Sequence, residues 1–120
     1  MKKTALEITH TDEDDVTIVY LKGEMWGRPG EPELFRSKMG ELVANSRFRV
    51  VFDLSEVRLI SSTGIGMLVG AFKTVSNHDG RMAIAEPSDP IKPVFRVLKA
   101  PFPVFYTHSD AMAFVRGQDT

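Results

Sequence analysis

The sequence predicts an α/β fold: a mostly parallel mixed sheet with an N-terminal β-hairpin and about four helices. Three observations predict it. Short apolar stretches rich in Val, Ile and Phe recur along the chain. Between them lie stretches whose apolar residues repeat at helical spacing. After an initial pair of strands the two kinds alternate, in the order β-β-α-β-α-β-α-β-α. Strands separated by helices form parallel sheets with helices packed on them.

Leu6 and Ile8 alternate with polar neighbours and predict a first strand. Thr11-Asp12-Glu13-Asp14-Asp15 reads as a solvated turn; it lacks the glycine and distal glutamate of a calcium loop. Val16, Ile18 and Tyr20, with Val19 and Leu21 on the other face, make a second strand reaching Lys22. Gly23 to Pro32 contains Gly23, Gly27, Pro29 and Gly30 and reads as a loop. Trp26 within it either covers the core edge or stands exposed at a contact surface. Pro32, flanked by Glu31 and Glu33, suits the first turn of a helix bearing Leu34, Phe35, Met39, Leu42 and Val43.

Val50-Val51-Phe52 within Arg49–Leu54 predicts a strand covered on both faces, and Ser55 to Ser62 a connection. A helix follows from Thr63 or Gly64 to about Asn77, closed by a turn at Gly80. Met82-Ala83-Ile84-Ala85 is a short buried strand. Ser88-Asp89-Pro90 signals a helix start, with Ile91, Val94, Phe95 and Leu98 on one face before Pro101. Val104-Phe105-Tyr106 predicts the last strand, and Ser109-Asp110 the cap of a final helix with Met112, Phe114 and Val115.

Composition narrows the function. The chain has 120 residues, 42% hydrophobic and 26% charged, which suits one domain over residues 1–120 with a core that needs no staples. Cysteine is absent, so disulfides, thiolate metal sites and cysteine nucleophiles are excluded. Fifteen Lys and Arg against sixteen Asp and Glu leave no basic excess for nucleic acid. No apolar run approaches the ~20 residues of a membrane span, and Glu7, His10 and Asp12 interrupt any signal-peptide core. The expectation is a soluble, cytoplasmic protein.

Catalytic motifs are missing. His10, His78 and His108 fall in three separate loops or turns, none with a partner at ligand spacing. There is no Gly-x-Ser-x-Gly elbow and no phosphate-binding Gly-x-x-x-x-Gly-Lys loop. Gly64-Ile65-Gly66 could open a dinucleotide fingerprint, but position 69 is Val69 and Gly70 comes one place late. Asp53 ends a strand as in a phosphorylated receiver, without a convincing acidic pair near the first strand. No catalytic residue, metal or cofactor is expected, and the chain reads as a non-enzyme.

One segment is informative. Ser61, Ser62 and Thr63 cluster at a helix start where a single capping hydroxyl would do. At 100° per residue, Ile65, Leu68, Val69, Phe72 and Val75 form one face, predicted to enter the core. The opposite face holds Thr63, Gly66, Met67, Gly70, Ala71 and Thr74, with no charge along its centre. Gly66 and Gly70 each cost about 1 kcal/mol relative to alanine, and close approach of another backbone would explain them. Such a face fits another protein, a second copy in a homodimer, or a further layer of the same domain.

The arrangement Asp53-Leu54-Ser55, Leu59-Ile60, Ser61-Ser62-Thr63-Gly64-Ile65-Gly66 and a Leu68-bearing helix resembles the STAS domain of bacterial anti-sigma factor antagonists. That family's pattern is roughly Asp-Leu-Ser, a few residues, then Asp-Ser-Ser-Gly-Leu-Gly and an amphipathic helix. Gly80-Arg81 before Met82–Ala85, and Pro90 to Leu98 before Pro101, fit it as well. The resemblance implies an antagonist that binds an anti-sigma factor, itself a serine/threonine kinase, and so frees a sigma factor for transcription. The kinase phosphorylates the second hydroxyl residue of the motif, and a PP2C-type phosphatase reverses the step. Carried onto this chain, the acceptor is Thr63, with Ser62 beside it, and the partner-binding set is Ser61, Gly64, Gly66, Met67, Gly70 and Thr74. The motif aspartate is Ser61 here and the acceptor serine is Thr63. Some STAS proteins are unphosphorylated scaffolds in stress-sensing or lipid-transport complexes, which is the alternative.

Overall fold

The computed structural model describes residues 5–117; the basic start, Met1 to Thr4, lies outside them. The first strand carries on through most of the acidic run, although its alternating burial stops at Thr11. β1 is Glu7–Glu13 and β2 is Val16–Met25, paired antiparallel from Glu7 opposite Lys22 to Glu13 opposite Val16. Thr11, Asp12 and Glu13 therefore belong to the strand, and the predicted five-residue turn shrinks to Asp14 and Asp15. Asp14 takes φ 56°, a left-handed conformation that aspartate tolerates. Asp12 is held in the strand by the Thr17 hydroxyl (2.7 Å) and the Arg47 guanidinium (3.2 Å).

Two strands run further than predicted. β2 passes through Gly23 to Met25, and β3 spans Arg49–Ile60 rather than ending at Leu54. They remain paired in parallel out to Met25 opposite Ile60, with register shifts at Tyr20/Lys22 and Gly23/Glu24. Gly23, at φ 111°, takes up the second irregularity. Polar Ser55, Glu56 and Arg58 point to solvent along this extension, so the sequence there reads as a connection although Val57 and Ile60 are buried.

β4 (Arg81–Ala85) and β5 (Val104–Phe105) complete a five-stranded sheet in the order β1-β2-β3-β4-β5, parallel from β2 onward. Helices α1 (Glu31–Ala44), α2 (Ser62–Asn77) and α3 (Lys92–Val97) follow β2, β3 and β4; α4 (His108–Val115) ends the described chain. Side chains alternate along each strand and so feed two cores. Val19, Leu21, Phe52, Leu54, Met82 and Ile84 join Phe35, Leu42, Leu68 and Phe95 in the larger core. Val16, Ile18, Val51, Ala83 and Ala85 meet Ala111 and Val115 of α4 in the smaller one. Each large side chain fully buried contributes about 1.5–3 kcal/mol.

Two helix starts differ from expectation. The Ser88-Asp89-Pro90 signal forms a turn, with Ile91 and Lys92 amides bonded to the Ser88 carbonyl, and α3 begins only at Lys92. The Ser88 hydroxyl is diverted to the Val57 carbonyl and caps nothing. At α4 the cap is Thr107, whose hydroxyl accepts from the Asp110 amide at 3.1 Å, not Ser109 or Asp110. No helix among the described residues is long and apolar enough to cross a membrane.

Candidate functional site

The long β2–β3 pair brings its far end, Met25 and Ile60, to the point where α2 starts. Ser61 caps that helix: its hydroxyl accepts from the Gly64 amide (3.2 Å) and lies 3.2 Å and 3.0 Å from the carbonyls of Met25 and Trp26. The Ser61 amide donates to the Met25 carbonyl and the Ile65 amide to the Ser61 carbonyl. Among the described residues, the amides of Ser62 and Thr63 are then left without a protein acceptor in this turn. Both side chains are exposed.

Gly64 is buried, not at the surface. A Cβ there would stand 2.6 Å from the Met25 carbonyl oxygen, so the glycine lets the helix backbone lie directly on β2. This contact sets the rotation of α2. The buried line is Gly64, Leu68, Ala71 and Val75, turned by roughly 60° from the predicted face. Ile65, Val69 and Phe72, predicted to be core, are half-buried. Ala71, predicted to face outward, is buried instead.

The outward stripe is nonetheless open. Thr63, Gly66 and Gly70 are exposed, and Met67 and Thr74 are half-buried. Together with Ala71 they form one wall of a groove of about 540 Å³ whose other wall is Pro32, Phe35, Arg36 and Met39 of α1. Arg36 is the one charged residue in that lining. Cβ atoms on Gly66 or Gly70 would meet nothing within 4 Å, so nothing within the chain requires glycine there.

A second support comes from the loop before α1. Gly27, at φ 82°, backs directly onto the Thr63 side chain. The Glu31 carboxylate, 8% exposed, turns back to accept from the amides of Gly27 (2.9 Å) and Arg28 (3.2 Å) and lies 3.7 Å from the Arg28 guanidinium. Sequence reasoning read Glu31 as a helix-dipole residue and missed this clasp. Trp26 is 43% exposed and does not cover the core; its indole N–H donates to Glu24 at 2.8 Å. Hydrogen bonds from Trp26 and then Arg28 hold the Glu24 carboxyl below the ordinary glutamate range.

Two of the three histidines depart from expectation. His10 lies within β1, its Nδ1 2.9 Å from Lys38 Nζ. His78 lies in the turn after α2, as expected, and stacks on Phe48 at 4.4 Å. His108 opens α4 and does have an acidic partner: Nε2 lies 2.5 Å from Asp53 Oδ2. A separation of 55 residues hides that pair from any spacing rule.

The fold has known relatives. The STAS domain model matches residues 7–111. A candidate anti-sigma factor antagonist from Thermotoga maritima is 23% identical, with 91% of this chain and 94% of that chain covered and a TM-score of 0.75. An anti-sigma factor antagonist from Mycobacterium paratuberculosis is 26% identical, with 93% and 95% covered and a TM-score of 0.70. The Bacillus cell fate determinant SpoIIAA in its phosphorylated form is 19% identical, with 93% and 100% covered and a TM-score of 0.66. The mixed five-stranded sheet, its four helices and the family match over nearly the whole chain agree: this protein belongs to the STAS domain family.

Proposed function

We propose that residues 1–120 act as one STAS domain, an anti-sigma factor antagonist that regulates transcription in a bacterial cytoplasm by partner switching. Its partner is an anti-sigma factor with serine/threonine kinase activity, and a PP2C-type phosphatase resets the cycle. The chain itself carries out no reaction. The observation that carries this reading is Thr63: an exposed hydroxyl residue in the first turn of α2, heading an open groove with little charge. Anti-sigma factor antagonists among the structural relatives support it.

The physics of such a switch is local. Phosphate on Thr63 adds about −1.5 to −2 charges. The free amides of the first turn and the helix dipole favour an anion there, so folding is spared. Across a desolvated interface the same charge opposes a partner. A loss of about 3 kcal/mol is more than a hundredfold in affinity. Ser62, exposed one residue earlier, is the second candidate acceptor. Gly66, Met67, Gly70 and Thr74 form the contact surface, while Ser61 and Gly64 shape it from beneath.

Recovery of the protein from its own cells tests the modification. An increment of about 80 Da on the peptide carrying Ser61 to Thr63 supports the switch. A consistently unmodified peptide, across growth and stress, supports the second reading: a constitutive STAS scaffold. One observation favours that alternative. Ser61 stands where the motif has aspartate, and its hydroxyl makes contacts with the Met25 and Trp26 carbonyls that a carboxylate could not donate to.

A further inference from the structure

Asp53 lies within β3 where its pairing with β4 ends, Glu86 directly follows β4 and His108 opens α4, all on the sheet face opposite α2. Asp53 is 5% exposed. Its Oδ1 is engaged by the Ser55 amide (2.8 Å) and hydroxyl (2.7 Å), which fixes the carboxylate and aims Oδ2 at His108 Nε2, 2.5 Å away. Glu86 Oε2 lies 3.8 Å from the same nitrogen and accepts the His108 backbone amide at 3.2 Å. One donor atom from each residue thus falls within 4.8 Å of the others.

The geometry points to a divalent-cation site formed by Asp53 Oδ2, Glu86 Oε2 and His108 Nε2. Ligands about 2.0–2.2 Å from a tetrahedral zinc sit roughly 3.3 Å apart. The observed 2.5 and 3.8 Å bracket that spacing, so small side-chain rotations open the center to an ion in place of the shared proton. Two carboxylates against one imidazole leave negative charge for a cation to neutralise. One nitrogen and two oxygens favour zinc or manganese over calcium or magnesium, which take oxygen ligands. Ser55 on Asp53 and the backbone amide on Glu86 supply the outer hydrogen bonds that hold ligating carboxylates in place. Glu86 and His108 are partly exposed, giving the ion an entry path and a solvent ligand. Bound there, it ties the middle of β3 and the residue after β4 to the N-terminus of α4. The site is independent of the groove, and its failure would leave the switch untouched.

Calorimetric titration of the full chain, stripped with chelator, with zinc chloride tests this, with magnesium as the control. The expected result is one-to-one zinc binding that raises the melting temperature, and a tetrahedral visible spectrum with cobalt. His108→Ala and Glu86→Gln should each weaken zinc by roughly tenfold or more, since even loss of an outer supporting group costs that much. His10→Ala and His78→Ala should leave it unchanged. Glu86 is partly exposed, so its variant reports even if His108→Ala folds poorly. No zinc binding, or equal binding by Glu86→Gln and wild type, overturns the site.

Discussion

A Cβ on Gly27 would stand 2.3 Å from Cγ2 of Thr63, so the bare backbone of one residue forms the wall on which the other rests. The proposed acceptor is therefore held from behind by the loop and left open toward the groove. Glu31 holds that loop in turn through the Gly27 amide. This chain of contacts makes the site a rigid feature of the fold rather than a loop tip.

Gly27→Ala should destabilise the protein by about 2–3 kcal/mol, combining a left-handed backbone with a steric clash. Gly30→Ala shares the positive φ but meets open space, and should cost about 1 kcal/mol. Adding Thr63→Ser, which removes the offending methyl, should recover part of the Gly27→Ala loss. Urea denaturation of wild type, Gly27→Ala, Thr63→Ser and the double variant measures the coupling, and a Gly30→Ala loss equal to that of Gly27→Ala would count against the contact.

Glu31→Ala should lower stability by about 1–3 kcal/mol, because two amides lose a buried charged acceptor. Glu33→Ala, on the exposed side of the same turn, should stay within about 0.5 kcal/mol of wild type. Chemical denaturation distinguishes them.

The glycines of α2 separate packing from docking. Gly64→Ala should be strongly destabilising, by about 3 kcal/mol or more, since its Cβ would strike β2 backbone. Gly66→Ala and Gly70→Ala, with open space around them, should each stabilise the helix by up to about 1 kcal/mol. Both should still weaken partner binding, because methyl groups lift the partner off the surface. Thermal melting and binding measured on the same samples check this; unchanged affinity would remove the glycines from the interface.

Met67→Arg should weaken partner binding by about a hundredfold or more while thermal melting changes little, because the long side chain can swing its charge to solvent. Surface plasmon resonance against the captured partner reads the first, and calorimetry the second.

The order of elements was legible because period-2 and period-3.6 apolar patterns change abruptly along this chain. Boundaries failed where a polar stretch kept strand geometry, as in Ser55 to Ile60, paired to β2 while turning Glu56 and Arg58 outward. The rotation of α2 was not legible either. Apolar Ile65 and Val69 are partly outward and small Gly64 and Ala71 inward, since the close backbone approach of Gly64 to Met25, which hydrophobic periodicity does not register, turns the helix. The hydroxyl cluster was visible as a motif, whereas Glu31 clasping Gly27, and His108 meeting Asp53, depend on tertiary contacts that no local spacing reveals.

Under the proposed switch, a charge at residue 63 changes what the protein binds without changing its fold. The decisive measurement immobilises wild type and Thr63→Glu side by side and exposes both to extract from native cells. Wild type should retain a serine/threonine kinase of the anti-sigma type, the variant should release it, and both proteins should melt within a few degrees of each other. Retention of that kinase at equal affinity by both would contradict the switch.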